Sequence, residues 1–129
     1  MHEMYVDQLM SRPLETVAVD TPVIEAAGTL IAQDVGAVVV DDGDQLAGIL
    51  TATDFVRMVR DEGVSSDATV GEFMHEDVVT TTRSRPVSEV AAKMLDHGIH
   101  HVPVVDDGEV VGIITTMDLT AHLSRSLSA

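Results

Sequence analysis

The chain has 129 residues, one ordinary domain's worth, which is enough to bury a core and too few for a large catalytic domain joined to a regulatory one. Hydrophobic residues make up 45% of it but aromatics only 2%, so Val, Ile, Leu, Met and Ala must fill the core, and stacking platforms for single-stranded nucleic acid are missing. With 22 Asp plus Glu against 7 Lys plus Arg, the formal charge of -15 repels phosphate backbones and anionic bilayers and argues against nucleic acid or membrane partners.

Lys93 is the single lysine, and 14 Asp stand beside 8 Glu. Such short, strongly hydrated carboxylates suit a salt-rich, halophilic cytoplasm, because self-repulsion costs stability unless salt screens it. The absence of cysteine removes disulfides, thiolate catalysis and cysteine-ligated metal. No apolar run approaches the ~20 residues of a membrane span, and the N-terminus lacks the pattern of a secretory signal, so a cytoplasmic protein is expected.

In chain order, a short element with a buried methionine (Val6 to Met10) leads to an extended stretch, Thr16 to Val19. A helix starts at Pro22, where proline suits the first turn, and presents Val23, Ala26, Ala27 and Leu30 on its apolar face. Two apolar runs follow, Ala37 to Val40 and Leu46 to Leu50, joined by Asp41-Asp42-Gly43-Asp44 as a hairpin. A closing helix begins near Thr53, and 60–69 reads as a polar linker. The same series then recurs at an offset of 64 residues, giving repeats over 1–64 and 65–129 that together form one module. Val70 to Met74, the extended Val79 to Thr82, the helix from Pro86 with Val87, Val90, Ala91 and Met94, and the hairpin Val102 to Val105 and Val110 to Ile114 around Asp106-Asp107-Gly108 match the first copy. Two compensating one-residue shifts are placed at the Asp-rich turns. The second closing helix begins near Met117. Strands so continuously apolar need cover on both faces, so the two repeats are expected to pack sheet to sheet with pseudo-two-fold symmetry in a mixed α+β fold.

The most informative segments end each hairpin: Gly48-Ile49-Leu50-Thr51-Ala52-Thr53-Asp54 and Gly112-Ile113-Ile114-Thr115-Thr116-Met117-Asp118. Thr three residues before Asp at a strand-to-helix junction reads as a helix cap, with the acid favouring the helix dipole. It also reads as a crevice in which the carboxylate accepts from the vicinal hydroxyls of a ribose while Thr hydroxyls and helix amides donate to phosphate.

Here the chain resembles the CBS domain family, as a tandem pair or Bateman module, over about residues 4 to 125. The resemblance rests on the doubled strand-helix-strand-strand-helix order, the leading Val-x-x-x-Met, the paired Thr-x-x-Asp endings, and the run His97-Gly98-Ile99-His100-His101-Val102-Pro103-Val104-Val105-Asp106. It implies a non-catalytic regulatory module that binds adenosine-containing ligands (AMP, ADP, ATP or S-adenosylmethionine) in clefts between the repeats and acts on a separate effector protein, with no required cofactor. It also implies that Asp54 and Asp118 hold ribose and that Thr51, Thr53 and Thr115 stand beside the phosphate. Met117 departs from the pattern where the first copy has Thr53, which leaves the Asp118 site one hydroxyl short. The base pocket is implied to come from the opposite repeat: Gly36, Ala37 and Val38 for Asp118, and His100, His101 and Val102 for Asp54. Small pairs in the family commonly form homodimers, for which Phe55, Val56, Val59, Leu119 and Leu123 offer an apolar face.

No metal site is expected from His97, His100 and His101, because adjacent residues in an extended segment point to opposite sides. Arg85, just before a helix-starting proline, and Arg57, one turn after Asp54, read equally as solvated residues or as phosphate contacts. No nucleophile elbow, Walker-type loop or His-Glu-x-x-His helix supports an enzyme. The rival reading is a ligand-free dimerisation or interaction module.

Overall fold

The computed structural model describes residues 4–11, 16–61, 65 and 67–128. Their elements run α1 (Val6–Leu9), β1 (Thr16–Ala18), α2 (Val23–Gln33), β2 (Ala37–Asp42), β3 (Gln45–Thr51), α3 (Ala52–Asp61), α4 (Val70–Phe73), α5 (Val87–His97), β4 (His101–Asp106), β5 (Glu109–Thr115) and α6 (Thr116–Ser128). The expected mixed α+β fold and its doubled order are present. One strand is reduced: the stretch expected over Val79 to Thr82 holds only a parallel bridge from Thr81 to Val104. Of the expected linker, 62–64 and 66 lie outside the described residues, while Arg60 and Asp61 still belong to α3 and Ala68 is buried.

The chain divides into two compact units, and their borders differ from those of the sequence repeat. One is contiguous, Glu15–Val78, and the other combines the described residues of Met1–Leu14 with those of Val79–Ala129. The leading segment of each repeat is therefore housed with the hairpin of the other repeat, and this follows from its backbone bonds. In the composite unit, the Val6 and Asp7 N–H groups donate to the Arg85 and Arg83 carbonyls at 2.9 and 3.1 Å. In the contiguous unit, Val70 and Gly71 donate in the same way to Thr21 and Val19 at 2.9 and 3.0 Å.

In the contiguous unit β1 runs parallel to β2, and β2 pairs antiparallel with β3, with Ala37 opposite Thr51. Val23, Ala26 and Leu30 of α2 pack with Val38, Val40, Leu50, Met58, Ala68 and Val70 into one core. In the composite unit β4 and β5 pair with His101 opposite Thr115, and Val6, Met10, Val90, Met94, Val102, Val104 and Ile114 form the counterpart core. The helix faces read from the 3.6-residue period are those that are buried, with Ala27, Val87 and Ala91 at their margins. Phe55 and Leu119 were expected on a self-association face, but they pack against these two cores. A helix that rests on its own sheet directs such residues inward, so only Val56, Val59 and Leu123 of that set stay exposed.

The hairpin turns correct the placing of the repeat shifts. Gly43 and Asp44 connect β2 to β3, and Asp107 and Gly108 connect β4 to β5, so the two copies stay aligned without insertion. What changes is the turn. Gly43 alone has positive φ (70°) in the first, whereas both Asp107 (53°) and Gly108 (82°) do in the second. Gly at the first central position and Asp-Gly across both are the sequences that favour the two primed hairpin turns.

Thr81 is 3% exposed, and its hydroxyl has no partner among the described residues. Val17 fills the equivalent place in the first copy and packs against its core without this burden. Thr81→Val should therefore stabilise the protein by about 1 kcal/mol, since a buried unpaired hydroxyl costs about 1–3 kcal/mol. Equilibrium urea unfolding would show this, and an unchanged or lower midpoint would mean that the hydroxyl has a partner in solution.

Candidate functional site

Each hairpin ends by delivering a threonine to the first turn of a helix, and the acid three residues on folds back over it. Asp54 Oδ2 accepts from the Thr51 N–H at 2.8 Å and from the Thr51 hydroxyl at 3.0 Å. In the second copy Asp118 Oδ2 accepts from the Thr115 N–H at 2.9 Å, and the Asp118 N–H donates to the Thr115 hydroxyl at 3.2 Å. The capping geometry is thus present in both copies. It fixes one carboxylate oxygen through the helix-start N–H.

The exchanged leading segments also reach these carboxylates. His75 Nε2 lies 2.8 Å from Asp54 Oδ1. A carboxylate can only accept, so this nitrogen carries the proton. Ser11 stands in the equivalent place in the first copy, and its hydroxyl donates to Asp118 at 3.1 Å to Oδ1 and 3.3 Å to Oδ2. Each segment is held by a reciprocal pair of backbone bonds, His75 with Ile49 (3.0 and 2.9 Å) and Ser11 with Ile113 (2.7 and 3.2 Å). Glycine makes this approach possible. A Cβ on Gly48 would stand 2.7 Å from Met74 Sδ and 2.8 Å from the His75 carbonyl oxygen, and one on Gly112 would stand 2.8 Å from Met10 Sδ.

Neither His75 nor Ser11 was singled out from the sequence. The available signal was positional: each follows the methionine of Val-x-x-x-Met, and each copy carries a glycine at the matching place before Thr-x-x-Asp. The expected residues fall as follows. Thr51 and Thr115 contact their aspartates, while Thr53 is exposed on α3. Arg57 reaches Asp54, with its Nη1 3.6 Å from Oδ1. Arg85 pairs with Glu89 one turn along α5, with Nε at 2.8 Å from Oε2.

Gly36 and Ala37 lie beside the Thr51–Asp54 turn of their own unit, where the Ala52 N–H donates to the Gly36 carbonyl at 2.9 Å. His100 and His101 lie beside Thr115 and Asp118 in the same manner, with the Thr116 N–H donating to the His100 carbonyl at 3.0 Å. The resemblance assigned each of these sets to the opposite aspartate; within its own unit, each flanks the aspartate of that unit. Val38 and Val102 commit their side chains to the cores, which leaves only backbone for a ligand.

Burial alone would raise the Asp54 carboxyl. The Thr51 N–H, the His75 imidazole, the Thr51 hydroxyl and the charge of His75 outweigh it and hold the group below its usual 3.8. The stability it contributes is present above that value and is lost as pH falls through the lower folded one. At His101, burial chiefly lowers the imidazole from its usual 6.5, helped by His100 and opposed by Asp118. The unfolded chain then takes up this proton first, so stability is full above about 6.5 and declines on acidification through the lower folded value. His101→Gln should flatten the fall in melting midpoint between about pH 7 and pH 5 by a few degrees. Parallel slopes for variant and parent in a pH series of melts would remove His101 as the cause.

The family model of the CBS domain matches residues 6–61 and 70–125. L-aspartate semialdehyde sulfurtransferase of Methanocaldococcus jannaschii is 34% identical over 117 residues, which are 89% of this chain and 22% of that protein. CBS domain-containing protein YhcV of Bacillus subtilis is 27% identical over 124 residues, 96% of this chain and 89% of that one. This chain spans 40%, 22% and 62% of the length of three archaeal relatives that it matches. Among solved structures, the CBS domain pair of protein MJ0100, in complex with 5′-methylthioadenosine and S-adenosyl-L-methionine, superposes with a TM-score of 0.89 at 31% identity, covering 97% of this chain and 99% of that one. The chain belongs to the CBS domain family and carries two tandem copies of the domain.

Proposed function

We propose that this chain is a regulatory module that binds adenosine-containing ligands (AMP, ADP, ATP or S-adenosylmethionine) at Asp54 and Asp118 and passes its state to a separate effector protein, without catalysing a reaction itself. The observation that carries the reading is the doubled carboxylate at a strand-to-helix turn, oriented by a helix-start N–H in each copy and acceptor-only, as binding the two hydroxyls of a ribose requires. The adenosine ligands bound by the MJ0100 pair support it. Thr51, Thr53 and Thr115 supply hydroxyl oxygens at these sites, and Gly36, Ala37, His100 and His101 border them. The module is a homodimer in this reading, with the exposed Val56 and Val59 of one closing helix and Leu123 of the other offering apolar contacts. No helix among the described residues is long and apolar enough to cross a membrane, and a salt-rich cytoplasm is the setting that the acidic composition fits.

Thermal melts with AMP, ATP, S-adenosylmethionine and 5′-methylthioadenosine test this. At a hundred times its dissociation constant a ligand adds about 2.7 kcal/mol to the folded state, so the midpoint should climb by several degrees and keep climbing with concentration. Midpoints indifferent to all four would refute the sensor and leave the ligand-free interaction module. The same melts should rise steeply from low to molar salt, and sedimentation in high salt should give a dimer.

A further inference from the structure

The two aspartates are presented by the same backbone arrangement, yet the side chains around them differ. Asp54 has the His75 imidazole at 2.8 Å and the Arg57 guanidinium at 3.6 Å. At the places equivalent to His75, Arg57 and Thr53, the second copy has Ser11, Ala121 and Met117. No arginine or lysine among the described residues pairs with Asp118. His101 stands near it, but burial disfavours its charged form, and Met117 is 71% exposed beside it. Relative to the first copy, these three positions lack an imidazole, a guanidinium and a hydroxyl respectively, while His100 and His101 stand where the first copy has Gly36 and Ala37.

We propose that these positions set the ligand class of each site. His75 and Arg57 make Asp54 the seat of an adenosine ligand with an anionic 5′ group, a phosphate ester. Ser11, Ala121 and Met117 make Asp118 the seat of one whose 5′ group is uncharged or cationic, a thioether or sulfonium. The proposal rests on the adenosine reading above and extends it from one ligand family to two classes. When the vicinal hydroxyls of a ribose meet a carboxylate, the 5′ substituent lies across the same five-membered ring, so a phosphate there would be repelled by Asp54 unless cations lay close by. The guanidinium supplies one and the imidazole an N–H donor, and both side chains are more than half exposed, free to turn from the carboxylate toward an incoming phosphate. At Asp118 no guanidinium or ammonium group among the described residues offsets that repulsion, whereas a sulfonium would be attracted to the carboxylate and a methylthio group would meet the polarizable thioether of Met117.

Isothermal titration with AMP and with 5′-methylthioadenosine tests this, using Asp118→Ala to isolate the Asp54 site and Asp54→Ala to isolate the other. The Asp54 site should prefer AMP by about tenfold or more, the worth of one charge-assisted hydrogen bond, and adding His75→Ser should bring the two affinities within about threefold of each other, mainly by weakening AMP. The Asp118 site should prefer the thioether, and adding Ser11→His should strengthen AMP there by about tenfold. A role in positioning alone would weaken both ligands equally and leave their ratio unmoved, so unchanged ratios in both exchanges overturn the proposal. Equal preference at both sites of the parent overturns it while leaving the adenosine reading standing. If the parent chain binds neither ligand, both readings fall together.

Discussion

Replacing Asp54 with alanine should lower the affinity of the first site for an adenosine ligand at least tenfold, and it should also destabilise the protein by about 0.5–2 kcal/mol. The first effect follows from losing the acceptor for two ribose hydroxyls, at about 1.5–3 kcal/mol for each charge-assisted bond. The second follows from the Thr51 N–H, which loses its cap. Because one side chain does both jobs, Asp54→Asn is the variant that separates them. Its single carbonyl oxygen can still take the Thr51 N–H, so stability should recover most of the loss, while the grip on ribose stays broken. Binding followed by titration, together with urea unfolding of both variants, would show this. Affinity retained in Asp54→Asn and Asp54→Ala alike would reduce the residue to a cap. The matching change at Asp118 should weaken the second site for the ligand that it prefers.

Gly48→Ala should destabilise the fold by about 1–3 kcal/mol, the usual cost of overpacking, and should do more harm than Gly112→Ala. At Gly48 the added methyl would meet the backbone carbonyl of His75 at 2.8 Å, which can yield only if the segment lifts away from β3. At Gly112 the nearest backbone oxygen, that of Ser11, is 3.2 Å away, and the closer Met10 sulfur sits at the end of a flexible side chain. Lifting the first segment also withdraws His75 from Asp54, so loss of stability and loss of AMP affinity should appear together in Gly48→Ala. Hydrogen exchange would report the loosened Ile49–His75 amides directly, and equal damage from the two alanines would contradict this account.

These two positions also show how far the sequence could be read. Helix faces, hairpins and the Thr-x-x-Asp turns are local patterns, with periods of 3.6 or 2 and turn residues at short range, and they were legible. The neighbours of the aspartates were not. His75 and Ser11 reach them from 21 and 107 residues away, and no periodicity connects such partners. Arg57 was legible because it sits one helical turn from Asp54, whereas Arg85 found a nearer carboxylate in Glu89 along its own helix. The hairpins were misjudged by one residue because aligning on Asp and Gly identities concealed a switch of turn type at constant length.

The crossed placement of α1 and α4 has a bearing on ancestry and on dissection. A lone 64-residue repeat would have to seat its methionine arm on its own hairpin, whereas here each arm is housed with the hairpin of the other repeat. Two such chains would satisfy each other by trading arms, so the arrangement seen here is that of a swapped dimer joined tail to head, in which duplication kept the trade and made it covalent. To divide the protein into halves that each hold their own arm, the cuts belong at the borders of Glu15–Val78 rather than between the repeats. That piece contains Asp54, His75 and Arg57 on a single uninterrupted stretch, and the remainder would need its two ends joined by a new linker, as a circular permutant, to keep Ser11 with Asp118.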